Sequence, residues 1–347
     1  MKVKCQECSN IYDIDENKLP DQPVVMKCKN CNNNIILKKP ESGGNGGEKT
    51  NRDKINKILE NVDSLPTLPT VANQIIQCTN DKNSSSTQIS KLVSQDQSLT
   101  MKVLKIVNSP FYGFPRKITT INHAVVILGA YEIQTLVVGA SIVKAFSRSK
   151  NNSIFNREKF WVHSIGCGVA SKMLARVFQY RISGEAFVAG LIHDIGKIIL
   201  DQYLNTDFEQ VLKEAHDKKV SLFKAEKDIL GTTHAELGKT LGEKWELPSH
   251  LIEVIHNHHD PFNSSKDRDI VSLVYFSNIL CRMGQVGMAG GDGYVPKIDD
   301  KVWGLLKSKK PDLNDSYIDK FIYDLKSEME QTQGLLSVLQ EKKEKNE

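Results

Sequence analysis

The chain has 347 residues; at roughly 150 residues per domain this suggests two or three units. With 25% charged, 39% apolar and 7% aromatic residues, the composition argues against collagen, a wholly disordered chain and a membrane protein. The 46 basic against 42 acidic residues leave a net charge of +4, which argues against a chain-wide nucleic-acid-binding field.

Four of the seven cysteines lie within the first 31 residues. No apolar stretch of signal-peptide length follows Met1-Lys2-Val3-Lys4-Cys5, and no run of about 18 apolar residues occurs. An odd, sparse cysteine total fits a reducing cytoplasm, with cysteines used for metal or packing. Residues 1–37 are expected to form a small β unit, with strands at Ile11-Tyr12-Asp13-Ile14, Val24-Val25-Met26 and Ile35-Ile36-Leu37. Cys5-Gln6-Glu7-Cys8 and Cys28-Lys29-Asn30-Cys31 are two Cys-x-x-Cys pairs with 19 residues between them, the spacing of a four-cysteine zinc site. Such a cage is closed, so its role is structural. A unit this short buries too little apolar surface to fold alone, and metal binding becomes its folding step. Two redox dithiols are the alternative, but no βαβ pattern surrounds either pair. The segment resembles the short zinc ribbon at the start of many bacterial regulatory proteins. Lys27 and Lys29 read as solvated lysines before they read as contacts to an acidic partner.

Residues 38–54 are rich in glycine and charge and read as a flexible linker. Residues 55–340 are expected to form one mainly α body. Its N-terminal helical lobe spans 55–148, with Ile58, Val62 and Leu65 on one face, and then Val71, Ile75 and Ile76. Ser86/Thr87 and Asp96 open further helices, and Asn108-Ser109-Pro110 stops one. A second lobe spans 155–285. Gly284 to Pro296 holds five glycines and reads as a loop, and 301–340 reads as C-terminal helices. Cys78, Cys167 and Cys281 fall in apolar helical contexts and read as small core residues.

Eight of the nine histidines lie between His163 and His259. His193-Asp194, read on a helix, offers an imidazole and a carboxylate about 100° apart, which with histidines from other helices can surround one or two metal ions. Thr233 and Glu236 form a capping box that puts His234 in the first turn of a helix. His258 and His259 close the apolar helix Leu251–Ile255. His123, His216, His250 and His256 read as packing or surface residues.

His163, His193-Asp194, His234 and His258-His259 together resemble the HD superfamily of metal-dependent phosphohydrolases, most closely HDOD, the HD-related output domain of bacterial signalling proteins. Leu65-Pro66-Thr67-Leu68-Pro69, Asn108-Ser109-Pro110-Phe111-Tyr112-Gly113, Phe187 to Lys197 and Glu243-Lys244-Trp245-Glu246-Leu247-Pro248 carry the resemblance. It implies a two-lobed helical body, here preceded by the small β zinc ribbon. It also implies a regulatory role without hydrolysis, with a signalling protein or a nucleotide or cyclic dinucleotide as partner. By resemblance to the HD-GYP phosphodiesterases, His163, His193, Asp194, His234, His258 and His259 stand where metal ligands do. Iron, manganese or another divalent ion would occupy that site. Lys197 stands where that family holds substrate phosphate, so Asp194 and Lys197 are the candidate catalytic pair. Three departures weaken catalysis: Asn278 where an acidic ligand is expected, Lys159 one turn before His163, and no Gly-Tyr-Pro after His259. A metal-dependent phosphohydrolase or phosphodiesterase acting on a nucleotide or cyclic dinucleotide is the competing expectation.

Overall fold

The structure is a computed structural model that describes residues 2–4, 11–13, 24–31, 34–37, 67–80, 85–110, 112–146, 155–180, 183–287, 290 and 294–332. Two compact units emerge, Met1–Thr50 and Asn51–Glu347. Cys5, Cys8, the 38–54 linker and the face of Ile58, Val62 and Leu65 lie outside the described residues.

Among the described residues, the first unit contains two antiparallel strand pairs. β1 (Lys2–Lys4) pairs antiparallel with β2 (Ile11–Asp13), placing Val3 opposite Tyr12. β3 (Val24–Lys27) pairs antiparallel with β4 (Asn34–Leu37), placing Val25 opposite Ile36. β3 runs directly into the Cys28–Cys31 turn.

The second unit is helical. Its first lobe contains α1 (Thr70–Asn80), α2 (Ser86–Ser94), α3 (Gln97–Val107), α4 (Ile121–Leu128) and α5 (Ala130–Phe146). Local chemistry sets their ends. The cap of α2 is Ser85, one residue before the expected Ser86, because Gln88 closes a capping box on it. Asp96 caps α3 by accepting from the Leu99 N–H. Asn108 ends α3 and staples the next segment, donating to the Leu104 and Ile118 carbonyls while accepting from the Ile118 N–H.

The second lobe contains α6 (Arg157–Val177), α7 (Ser183–Ile192), α8 (Ile195–Tyr203), α9 (Asn205–Lys218), α10 (Leu222–Leu230), α11 (His234–Lys244), α12 (Ser249–Asn257) and α13 (Arg268–Met283). α6 is buried almost all round from Phe160 to Ala175, polar His163, Ser164, Ser171 and Lys172 included, and packs against α7 and α13. The lobes meet where Val188 of α7 packs on Gly139 of α5, and where Tyr131 hydrogen-bonds His250 at 3.0 Å. α14 (Asp300–Lys309) and α15 (Ser316–Gln331) pack back on the second lobe through Trp303 and Phe321, both against Phe276. Among the described residues no single helix is long and apolar enough to cross a membrane. α4 and α5 together have the length, but they bend by 119°.

α8 and α11 touch backbone to backbone. A Cβ on Gly196 would overlap the His234 carbonyl, and one on Gly238 would come 2.6 Å from Ile255. This approach places the start of α11 beside Asp194. Gly196→Ala is therefore expected to force the helices apart and to lower stability by about 1–3 kcal/mol, read as a lower denaturant midpoint at unchanged slope.

Candidate metal centre

His193 and Asp194 do not lie on a helix. They occupy the break between α7 and α8, where Asp194 is the N-cap residue of α8 but makes no capping bond with its side chain. Its carboxylate instead faces a cluster of imidazoles and one ammonium, all buried except half-buried His259.

Oδ1 of Asp194 lies 3.2 Å from His234 Nε2 and 3.4 Å from His258 Nε2. His259 Nε2 is 3.0 Å and His258 Nε2 3.4 Å from His234 Nε2. Oδ2 accepts a 2.6 Å hydrogen bond from Lys197 Nζ, and lies 3.2 Å from His193 Nε2 and 4.0 Å from His163 Nε2. All six residues singled out in the sequence as an HD-type set, and Lys197, thus converge. His163 lies at the edge of the carboxylate's reach, and His259 joins the cluster through His234.

The outer bonds fix which nitrogen carries a lone pair. His193 Nδ1 donates to the Gly190 carbonyl at 2.8 Å, and His258 Nδ1 to the Ile255 carbonyl at 3.0 Å. A carbonyl only accepts, so the proton sits on Nδ1 and Nε2 presents its lone pair inward. His234 Nδ1 is held at 2.6 Å by Glu226 Oε2, which also accepts from the His234 backbone N–H at 2.8 Å.

Glu226 was not legible as a site residue, although one signal existed. It sits on α10 among Leu222, Ala225 and Leu230, an acid on an otherwise apolar stripe.

The electrostatics follow from burial and charge. Burial alone would raise the Asp194 carboxyl, but His193 and the Lys197 ammonium hold it well below the usual carboxylate range. Burial pushes Lys197 down and pushes His258 down to about 3. Burial also works against charged His234, yet the Glu226 carboxylate raises it overall.

The donors fit a divalent cation. The Nε2 atoms of His258 and His259 lie 3.4 and 3.0 Å from His234 Nε2, close enough for a shared proton or a metal ion to hold them together. Asp194 Oδ1 and His193 Nε2 are buried with no hydrogen-bond partner. The Oδ1 atom with His234, His258 and His259 offers four donors within 4.8 Å of one another. The Oδ2 side differs, because Lys197 already supplies a positive charge there.

Neither Asn278 nor Lys159 supplies another carboxylate. Asn278 Oδ1 accepts from Arg282 Nε at 3.2 Å, and Lys159 is exposed. Arg282, also missed in the sequence, donates to the Tyr294 carbonyl as well. A cleft of about 440 Å³ opens over the cluster, lined among others by Lys197, Lys227, Arg282, Phe223 and Tyr275. Phe223 packs on His259 with ring centroids 4.6 Å apart.

In the first unit, Cys28 is buried beside Tyr12. The Lys29 N–H donates to the Tyr12 hydroxyl, which turns its own proton toward Cys28 Sγ at 3.1 Å. That hydrogen bond pulls the Cys28 thiol down to about 6, which suits a thiolate ligand. Cys31 is exposed on the same turn.

The sequence profile of the HDOD domain matches residues 65–261, and that of a zinc-ribbon domain matches residues 1–36. An uncharacterized protein of Treponema pallidum (strain Nichols) is 22% identical over 227 residues, 65% of this chain and 44% of that protein. The chain thus spans less than half the length of that relative. An HDOD domain protein of unknown function from Geobacter sulfurreducens superposes with a TM-score of 0.65 at 26% identity, covering 84% of this chain and 98% of that one. A Shewanella amazonensis SB2B protein provisionally named a phosphohydrolase superposes with a TM-score of 0.58 at 20% identity, over 83% of this chain and 97% of that one. At that identity the likeness concerns the fold alone.

Proposed function

The chain belongs to the HDOD family, and on that premise we propose that its body is a regulatory module that binds a nucleotide-type ligand, a cyclic dinucleotide included, without hydrolysing it. One observation carries this reading: among the described residues Asp194 is the only carboxylate on the inward side of the imidazole cluster, Glu226 holding His234 from its outer Nδ1, and Lys197 holds the Asp194 Oδ2. Asp194 Oδ1, His234, His258 and His259 would hold one divalent ion, iron, manganese or another, whose chemistry is to polarise a bound phosphate oxygen. A second ion beside Oδ2 would meet the Lys197 ammonium at close range. Without that second ion, a two-metal clamp on attacking and leaving oxygens is missing. The cations of Lys197, Lys227 and Arg282 suit phosphate, and Phe223 and Tyr275 suit a base.

In this reading the four ribbon cysteines hold zinc, the setting is cytoplasmic, and a signalling protein is the macromolecular partner. The competing phosphohydrolase reading draws on the retained four-donor cluster; Asp194 and Lys197 would then be its catalytic residues.

The test is calorimetry of the metal-loaded full chain with a cyclic dinucleotide. Binding is expected, and Arg282→Ala is expected to weaken it about tenfold, the loss of one charge-assisted contact. No binding, or an affinity unmoved by Arg282→Ala, would count against the proposal.

A further inference from the structure

A second group of ligating side chains lies beside the first and is left unused by the reading above. His163 and Cys167 stand one turn apart on α6, and Cys281 comes from α13, which packs along α6. All three are buried: His163 is 1% exposed, Cys167 and Cys281 0%. Their Nε2 and two Sγ atoms lie within 4.8 Å of one another.

We propose that His163, Cys167 and Cys281 form a second, sulfur-containing metal site in the body, suited to a soft divalent ion such as zinc. Three observations carry it. His163 Nδ1 donates to the Val286 carbonyl at 3.3 Å, so its Nε2 lone pair faces inward. That Nε2 lies 3.4 Å from Cys167 Sγ but 4.0 Å from Asp194 Oδ2, an oxygen Lys197 already holds. His163 is thus turned to sulfur rather than to the aspartate. In a tetrahedral shell with metal–sulfur bonds near 2.3 Å and metal–nitrogen bonds near 2.0 Å, adjacent donors stand about 3.5 Å apart. The observed sulfur–nitrogen separation matches that edge.

The surroundings close the site. A Cβ on Gly287, where φ is +65°, would strike the His163 backbone, and one on Gly166 would meet Val286 and Cys281 Sγ. The loop after α13 therefore lies directly over the three residues. His193 Nε2 groups with His163 and Asp194 and not with the two sulfurs, so the imidazole of His163 and the two thiols are the ligands this chain supplies to the site. Binding M²⁺ releases one proton from each thiol to solvent and leaves the ion neutralised by two thiolates. Two sulfurs and an imidazole favour zinc or cobalt over magnesium, calcium or manganese. The site stands whether or not the cleft binds phosphate.

The test is a cobalt(II) titration of the full chain, wild type against Cys167→Ala/Cys281→Ala, followed by the near-ultraviolet thiolate-to-cobalt absorption. The ribbon contributes equally to both proteins. With two of six thiolates removed, the variant is expected to lose about one third of the band and to bind one cobalt fewer per protomer. Should the alanine variant not melt cooperatively, Cys167→Ser/Cys281→Ser keeps the volume with a much weaker ligand, and the same loss is expected. Equal bands and equal cobalt in wild type and variant would overturn the proposal. So would a Cys167–Cys281 disulfide recovered from freshly purified protein alkylated under denaturing, non-reducing conditions.

Discussion

Replacing Asp194 by alanine is expected to remove the divalent ion from the imidazole cluster and to lower the stability of the body by about 3–5 kcal/mol. The carboxylate is fully buried, and it is the partner of the equally buried Lys197 at 2.6 Å. Its removal takes away the carboxylate in direct contact with that ammonium. It also takes from His234 and His258 the oxygen that lies within 3.4 Å of both. Asp194→Asn keeps the shape and loses only the charge, so it separates electrostatics from packing: it is expected to lose the ion too, with a smaller drop in melting temperature. The check is a thermal melt with elemental analysis, in which ribbon zinc stays constant. A variant that melts like wild type and keeps its ion would remove Asp194 from the centre of the site.

Glu226→Gln is expected to weaken metal binding by about 10–100-fold with little change in fold. Glu226 touches no other group of the cluster than His234, whose Nδ1 and backbone N–H it holds together. The carboxylate makes the imidazole a stronger donor and fixes its ring; a neutral amide keeps the position and loses the charge. Glu226→Ala is expected to cost more, because two buried donors then lack an acceptor. A competitive metal titration reads both. An affinity unchanged in Glu226→Gln would show that the glutamate only packs.

What was legible in the sequence was whatever local spacing encodes. The Thr233/Glu236 box forms as expected, with the Glu236 carboxylate on the Thr233 N–H, and it sets His234 at the start of α11. The helical body and the histidine order were legible because apolar periodicity and the His-Asp pair are short-range signals. His193-Asp194 was misplaced on a helix: an aspartate before a helix ordinarily caps it, but Lys197 and the imidazoles draw this carboxylate away. Glu226 and Arg282 escaped because spacing alone does not show that one holds a histidine of the cluster and the other lines its cleft. Glu226 meets a histidine eight positions on, and Arg282 turns the Asn278 amide toward itself. Cys167 and Cys281 read as core residues, and they are buried in the core; their proximity to His163 is a product of how α6 and α13 pack.

The number of ions beside Asp194 decides between a binding module and a two-metal hydrolase. Electron paramagnetic resonance of the manganese-loaded full chain reads it directly, since two ions sharing one carboxylate couple magnetically and one does not. The expected spectrum is the hyperfine pattern of an isolated manganese(II) ion, absent in Asp194→Ala. An exchange-coupled pair that disappears in Asp194→Ala would contradict the single-ion centre, and with it the reading that this site binds without hydrolysing.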